Sequence, residues 1–292
     1  MFGKSIFIYM KRIYLFLPFL FLIVSKAVAQ DYVLLPENFY LHKGDKVNLH
    51  FISANQLIKQ DEIGFGTAKI QKFTLGSGKK TMDLAAAAPK AVDSVATVPF
   101  EKEGLNLLTV TTKVVIDDVE RDDFLKILDD EGLTQLSEKA KNGSKDSFRE
   151  RYIWYLKTLV EVDKPSGNDF DKSQDQEFEI ILKDNPYKGN YGDDIIGLVN
   201  FRGKPAVNAN VLFYVKAASG DVFVQKLTTD KMGQVYFKLS REGIYMLRTA
   251  HIEPSKDKNA DFDTWLTTYT FAFESSNTMP NTYKEFGFGN KH

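Results

Sequence analysis

The chain has 292 residues, a net formal charge of −1, and 43% hydrophobic and 26% charged residues. This composition is typical of globular proteins and excludes collagen, coiled coil and wholesale disorder. Aromatic residues make up 13% of the chain and favour half-buried strands, while the absence of cysteine excludes disulfides, thiolate metal sites and thiol nucleophiles.

The N-terminus has the three-part plan of a secretory signal peptide. Lys11 and Arg12 precede the apolar run 13–24, and small residues favour cleavage after Ala29. The run has 12 residues, whereas a spanning helix needs about 20. Met10 would start an equally complete signal, so translation from Met1 or Met10 gives the same mature protein. We expect an exported protein, periplasmic or secreted, with no membrane span after cleavage.

The mature chain is mildly acidic. Residues 1–29 contain four basic and no acidic side chains, which leaves 34 basic against 39 acidic residues and a net charge of −5. This balance argues against nucleic acid as a partner.

Period-two alternation predicts short strands in the first half of the mature chain. Val47, Leu49 and Phe51 alternate with polar neighbours, which is typical of a strand with one buried face. The predicted strands are 32–35, 39–41, 46–52, 68–75, 96–101 and 105–116. The segment 76–93 is rich in Gly, Lys and Ala and is predicted to be an exposed connection.

Helical periodicity follows twice. From Arg121 to about Lys141 it predicts two short helices joined at Glu131-Gly132. In 147–160 an apolar stripe at helical spacing predicts a further helix, with its charged residues mostly on the wet face. The stripe residues are Phe148, Tyr152, Tyr155, Leu156 and Leu159. The aromatic group Tyr152, Trp154 and Tyr155 is expected to pack this helix against a sandwich, and a ligand platform is the alternative.

The second half predicts a β-sandwich. The segment 164–176, rich in Pro, Gly, Asn, Asp and Ser, has the composition of a linker. About seven short strands at regular spacing follow it, which is typical of a sandwich of immunoglobulin or prealbumin type. These strands are 177–182, 195–201, 209–215, 222–228, 234–239, 244–251 and 265–273.

The predicted fold class is mainly β, with two β-sandwich domains of immunoglobulin or prealbumin-like type and a short helical insert between them. The predicted organisation is a signal peptide at 1–29, an N-terminal β-domain at 30–165 with the helical insert at 121–160, a linker at 166–176, a C-terminal β-sandwich at 177–275 and a flexible tail at 276–292.

A series of motifs in the chain resembles a family of secreted bacterial domains of unknown function that has been associated with nickel uptake. The motifs are Phe124, Glu131-Gly132-Leu133, Arg149-Glu150-Arg151-Tyr152, Lys157-Thr158-Leu159, Gly203-Lys204-Pro205, Ala209, Val211, Thr229-Asp230, Gly233, Phe237, Gly243-Ile244-Tyr245, Asp261 and Trp265. The resemblance runs from Val33 to about Phe273. It implies an exported protein with a prealbumin-like or carboxypeptidase-regulatory-like C-terminal sandwich, serving uptake of a metal ion or another substrate.

Four residues are the candidate metal ligands. If the two sandwiches pack together, His50, His251, Glu253 and Asp261 would converge and hold a divalent transition metal such as nickel, cobalt or zinc. The histidines form no HxH or HxxxH pair. Surface or core histidines are therefore the favoured alternative.

The sequence has no catalytic spacing. It contains no GxSxG elbow, and its adjacent carboxylates, such as Asp117-Asp118, point apart. We therefore expect a non-enzymatic binding or accessory protein at the cell envelope. The alternative is a structural module that docks onto an outer-membrane transporter or receptor by its sheet edges, and an enzyme such as a hydrolase ranks third.

Overall fold

The structure is a computed structural model whose described residues are 31–66, 69–85 and 95–275. The predicted signal peptide at 1–29, the choice between Met1 and Met10 and the predicted tail at 276–292 lie outside the described residues. None of the helices in the described ranges is long and apolar enough to cross a membrane.

The described residues form eighteen β-strands and two α-helices. The strands before residue 163 are β1 (Asp31–Pro36), β2 (Tyr40–Leu41), β3 (Lys46–Asn55), β4 (Ile58–Glu62), β5 (Ile70–Ser77), β6 (Lys80–Asp83), β7 (Ala96–Pro99), β8 (Gly104–Thr112), β9 (Val115–Glu120) and β10 (Ser147–Val162). The helices α1 (Arg121–Asp130) and α2 (Thr134–Lys141) lie between β9 and β10. The later strands are β11 (Phe178–Leu182), β12 (Asp194–Phe201), β13 (Lys204–Pro205), β14 (Asn210–Ala217), β15 (Val222–Thr228), β16 (Gln234–Lys238), β17 (Gly243–Pro254) and β18 (Phe262–Phe273).

The strands form three sheets. The N-terminal sheet contains β1, β3, β4 and β7, and the C-terminal sheet contains β11, β12, β13 and β16. The central sheet contains ten strands, with the main order β15-β14-β17-β18-β10-β8-β5-β6 and with β2 and β9 also paired to β10. In its middle, β18 lies between β17 and β10, and it runs parallel to β10 from Glu150↔Phe262 to Thr158↔Thr270.

Side chains alternate between the two faces of the central sheet along each strand, and in its middle strands, β10, β17 and β18, both faces are mostly buried. The even-numbered side chains of β10, β17 and β18 form what we call the N face, where Trp154 and Leu266 pack with the N-terminal sheet. The odd-numbered side chains form the C face, where Tyr155 and Trp265 pack with the C-terminal sheet. The mainly β fold class and the sandwich packing are therefore confirmed, and the two sandwiches share one sheet.

The predicted division at 166–176 does not correspond to a break in the central sheet, since β10, which precedes that segment, pairs with β8 on one side and with β18, which follows the segment, on the other. Within the segment a short 3₁₀ turn, Asp169–Asp171, is tied back to the N-terminal half. The Asp169 carboxylate accepts a hydrogen bond from the Gly78 amide at 2.9 Å.

The predicted helix at 147–160 is wrong, because this segment is β10. Both faces of β10 are covered, so apolar residues occupy even and odd positions and hide the period-two signal. Five of those residues fall at helical spacing by coincidence. Lys157 and Glu150, expected on the wet face, are buried.

The two short helices at 121–141 are confirmed, so the helical insert is shorter than the predicted 121–160. They join at Glu131-Gly132, where the side-chain amide nitrogen Nδ2 of Asn210 donates to the Glu131 carbonyl oxygen at 2.5 Å. Gly132 has a φ of 73°, and a Cβ there would lie 2.2 Å from the Asn210 amide nitrogen. Glycine therefore allows the insert to approach the start of β14.

Candidate functional site

A cavity of about 380 Å³ lies on the N face of the central sheet, between β1, β9 and α1. Its lining comes from chain segments that are far apart in sequence. The lining residues are Tyr32, Asp117, Val119, Asp123, Ile127, Glu131, Glu150, Tyr152, Trp154, Arg248, Ala250, Ile252, Thr264 and Leu266.

The floor of the cavity is formed by three neighbouring strands, β17, β18 and β10. Every floor residue is even-numbered, because only these side chains point to the N face. The strand pairing sets them in rows across the sheet: one row is Ala250, Leu266 and Trp154, and the next is Ile252, Thr264 and Tyr152. The floor is therefore apolar and aromatic at its centre.

The walls of the cavity come from β1, β9 and the helical insert. Tyr32 of β1 stacks on Trp154 with ring centroids 5.0 Å apart, and Tyr152 lines the cavity with it. Burial raises the pKa of both tyrosines, so their hydroxyls stay protonated at neutral pH. Asp117 of β9 and Asp123 of α1 add carboxylates at the rim.

Glu150 is a buried carboxyl group in this cavity. The residue is 8% exposed, and the Thr264 hydroxyl donates to its Oε1 at 2.5 Å. No cationic side chain within the described residues forms an ion pair with it. Burial raises the pKa of Glu150; the Thr264 hydrogen bond opposes this shift and the negative charge of Asp117 adds to it.

Arg248 lies at the end of the floor and is already paired. Its Nε donates to Asp31 Oδ1 at 2.7 Å, and its Nη1 donates to Glu131 Oε1. Burial works against the guanidinium charge, but Glu131 and Asp31 outweigh burial and raise the pKa of Arg248. The three side chains tie β17 to β1 and to the end of α1.

The four predicted metal ligands lie in three places. His50 belongs to the N-terminal sheet, where its Nδ1 lies 3.0 Å from Glu62 Oε2. Asp261, just before β18, accepts hydrogen bonds from the Lys145 ammonium and from the Arg149 backbone amide. His251 and Glu253 lie together on the C face of β17, with Nε2 and Oε2 3.4 Å apart.

The central sheet separates His50 from His251, so the predicted convergence does not occur. His251 stacks on Phe201 with centroids 4.0 Å apart and packs near Trp265. Burial lowers its pKa, although Glu253 opposes the shift. Across the described part of the chain, no three or more His, Asp or Glu side chains form a group that could hold a metal ion.

Sequence reasoning missed most of the cavity. The helical pattern places Glu150 on a wet face, and the only signal of Arg248 is one cation inside an otherwise apolar strand. Tyr152 and Trp154 belong to the aromatic group for which a ligand platform is the alternative prediction, and their spacing of two residues places them on one face only in a strand. Tyr155, the third member of that group, points to the opposite face.

One family model covers most of the chain. The model described as "Domain of unknown function (DUF4198)" matches residues 27–253. The comparison with curated proteins finds no match.

Solved structures give weak likenesses. A tetra-tandem repeat in the extending region of a large adhesion protein is 10% identical over 85% of this chain, with a TM-score of 0.22, and this chain spans 50% of it. The D0-D1 domain of intimin is 12% identical over 84% of this chain and 98% of its own length, with a TM-score of 0.22. Three N-terminal domains of the bacteriophage RB49 outer capsid protein Hoc are 7% identical over 85% of this chain and 71% of their own length, with a TM-score of 0.21. Scores of this size do not establish a shared architecture.

Proposed function

The chain belongs to the DUF4198 family of domains of unknown function, and we propose that it is a non-enzymatic binding protein of the cell envelope that holds a small solute in the cavity on its central sheet. The N-terminal signal motif supports export to the periplasm or the exterior. The observation that carries the proposal is the cavity itself, whose size and mixture of apolar floor and convergent polar groups are typical of small-ligand sites.

The expectation that the protein binds a divalent metal ion rests on the resemblance to domains associated with nickel uptake. A nickel, cobalt or zinc site needs several imidazole or carboxylate ligands around one point. The set of His50, His251, Glu253 and Asp261 is divided among three places, whereas the cavity residues converge. The cavity therefore supports solute binding better than that set supports metal binding.

A thermal shift screen of the mature protein from Gln30 tests this function. The panel contains amines, amino acids, sugars, carboxylates and the chlorides of nickel, cobalt and zinc. A ligand that binds only the folded state raises the thermal midpoint by mass action. We expect a small organic solute to do so, and Ala250→Phe, which places a ring on the cavity floor, to abolish the shift.

Two outcomes would contradict solute binding in the cavity. One is an organic solute whose shift is unchanged in Ala250→Phe. The other is a shift by a metal ion alone that disappears in His251→Ala and persists in Ala250→Phe, which would return the function to metal handling at the predicted residues.

A second candidate function is docking onto an outer-membrane transporter or receptor. The observation that favours it is the edge strand β9, which pairs with β10 and begins in a run of exposed apolar residues. Val114, Val115 and Ile116 are 48%, 41% and 46% exposed, and exposed strand edges can accept a strand from a partner. Site-specific cross-linking from position 116 in intact cells tests it: docking predicts a cross-link to a membrane protein that Val115→Lys removes.

A further inference from the structure

We propose that the cavity on the N face takes an organic cation, namely an ammonium group carried on a small apolar body. This inference rests on the proposed function, because it names the class of solute for the same cavity. Three features of the lining support it: the balance of charge, the state of Glu150 and the aromatic and apolar surfaces beside it.

The charge balance of the lining is negative. Four carboxylates line the cavity, Asp117, Asp123, Glu131 and Glu150, against one cation, Arg248. Arg248 is already paired with Asp31 and Glu131, so it offers little to an incoming anion. The remaining carboxylates repel an anionic ligand and attract a cationic one.

Glu150 has unused acceptor capacity. An ionised carboxylate accepts about four hydrogen bonds, and the Thr264 hydroxyl supplies one. Burying a carboxylate without a cation is costly, and structures normally pair such charges. An ammonium group has three N–H donors and would supply both the missing charge and the missing hydrogen bonds. Asp117, the register partner of Glu150 on the neighbouring strand β9, would be a second acceptor.

The neighbouring surfaces favour an organic cation over a bare metal ion. Tyr32, Tyr152 and Trp154 supply aromatic rings, which attract ammonium groups electrostatically. The centre of the floor is Ala250, Ile252 and Leu266, which provide no metal ligands and instead cover an apolar body. The cavity therefore pairs an acidic, aromatic end with an apolar bed.

Isothermal titration of the mature protein with matched probes tests the inference. The cationic probes are ethanolamine, cadaverine and phenethylamine. Two analogues, 2-phenylethanol and phenylacetate, keep the ring of phenethylamine and replace its ammonium with a neutral or an anionic group. We expect at least one amine to bind, phenethylamine to bind about tenfold or more tightly than 2-phenylethanol, and phenylacetate to bind more weakly still.

Glu150→Gln keeps the shape of the side chain and removes its charge. It should weaken binding of the amines about tenfold or more and leave 2-phenylethanol unchanged. The matched control is Glu161→Gln, the same charge change on the same strand but outside the cavity lining, which should leave amine affinity unchanged. Asp117→Asn provides a second cavity variant. Because residue 117 is exposed, this substitution tests the cavity without changing a buried side chain.

The outcomes separate this inference from the proposed function. If phenylacetate or 2-phenylethanol binds as tightly as phenethylamine and Ala250→Phe abolishes that binding, the cavity binds solutes and the cation assignment is wrong. If none of the three amines binds with a dissociation constant below about 10 mM, the cation assignment is also wrong. If no organic solute shifts the thermal midpoint either, the proposed function fails with it.

Discussion

Strand β10 carries a buried ionisable side chain on each face of the central sheet, and the two side chains differ in their hydrogen-bond and ion-pair partners. On the C face, the Lys157 Nζ lies 2.5 Å from Glu179 Oε1 and donates to the Ile180 carbonyl oxygen at 2.9 Å. On the N face, Glu150 has a hydroxyl donor in Thr264 and no cationic partner among the described residues.

The difference separates a structural charge from a functional one. Glu179 also accepts hydrogen bonds from the Ser173 hydroxyl and the Gln174 backbone amide. Each member of the Lys157 pair therefore has at least two partners, and the pair joins the central sheet to the C-terminal sheet. Burial lowers the pKa of Lys157, and Glu179 opposes that shift. Glu150 faces a cavity, and some of its acceptor positions have no hydrogen bond. Buried ionisable groups in this situation are candidates for ligand binding.

Removing the partner of Lys157 should have the largest effect. Glu179→Ala leaves a buried ammonium unpaired and is expected to lower the free energy of unfolding by about 3 to 5 kcal/mol. Urea denaturation followed by circular dichroism measures it. The double variant Lys157→Met/Glu179→Leu, which removes both charges, should recover most of the loss; a double variant no more stable than Glu179→Ala would show that packing rather than charge pairing is at stake.

Substitution of the two tryptophans measures how strongly each face of the central sheet is stabilised by packing. Trp265→Ala on the C face should lower the free energy of unfolding by about 3 to 5 kcal/mol, because the side chain is buried in a continuous core. Trp154→Ala on the N face should cost less, about 3 kcal/mol, since its ring borders the cavity. Thermal and urea unfolding check both, and a near-wild-type curve for Trp265→Ala would contradict the position of the C-face core.

Neutralising Glu150 should stabilise the unliganded protein. Its folded pKa is raised by burial, so above its unfolded pKa the folded state holds the proton more tightly and stability falls as pH rises toward the folded pKa. Glu150→Gln should therefore be more stable than wild type at about pH 8 and nearly equal to it at about pH 4.

Urea unfolding at the two pH values measures this difference. A destabilised Glu150→Gln at the higher pH would mean that the Glu150 charge is already compensated within the protein.

The smallest effect concerns two histidines and is spectroscopic. Burial lowers the pKa of His251 on the C face, whereas the hydrogen bond to Asp163 raises the pKa of exposed His42. In an NMR pH titration of the ring protons, His42 should titrate at a higher pH than His251. His251→Gln identifies the resonance, and the reverse order would contradict the packing of His251 on Phe201.

Local patterns in the sequence were sufficient for most strands and not for the cavity. Residues such as Val47, Leu49 and Phe51 alternate because one face of their strand is buried, and that pattern survives in the sequence. In β10 both faces are covered, so the alternation disappears and a helix is predicted instead. The cavity brings Tyr32, Glu150 and Arg248 together through strand pairing over long separations, which no local pattern encodes.

The position of β18 has a consequence for how the protein folds. This strand occupies the middle of the central sheet, yet it pairs with β10 across a separation of about 112 residues and it is the last strand of the described chain. Two-state proteins dominated by such distant contacts fold in roughly milliseconds to seconds. Because β18 supplies part of the cavity floor, the floor forms only after the chain has been synthesised through β18. A growing chain cannot bind solute before that point.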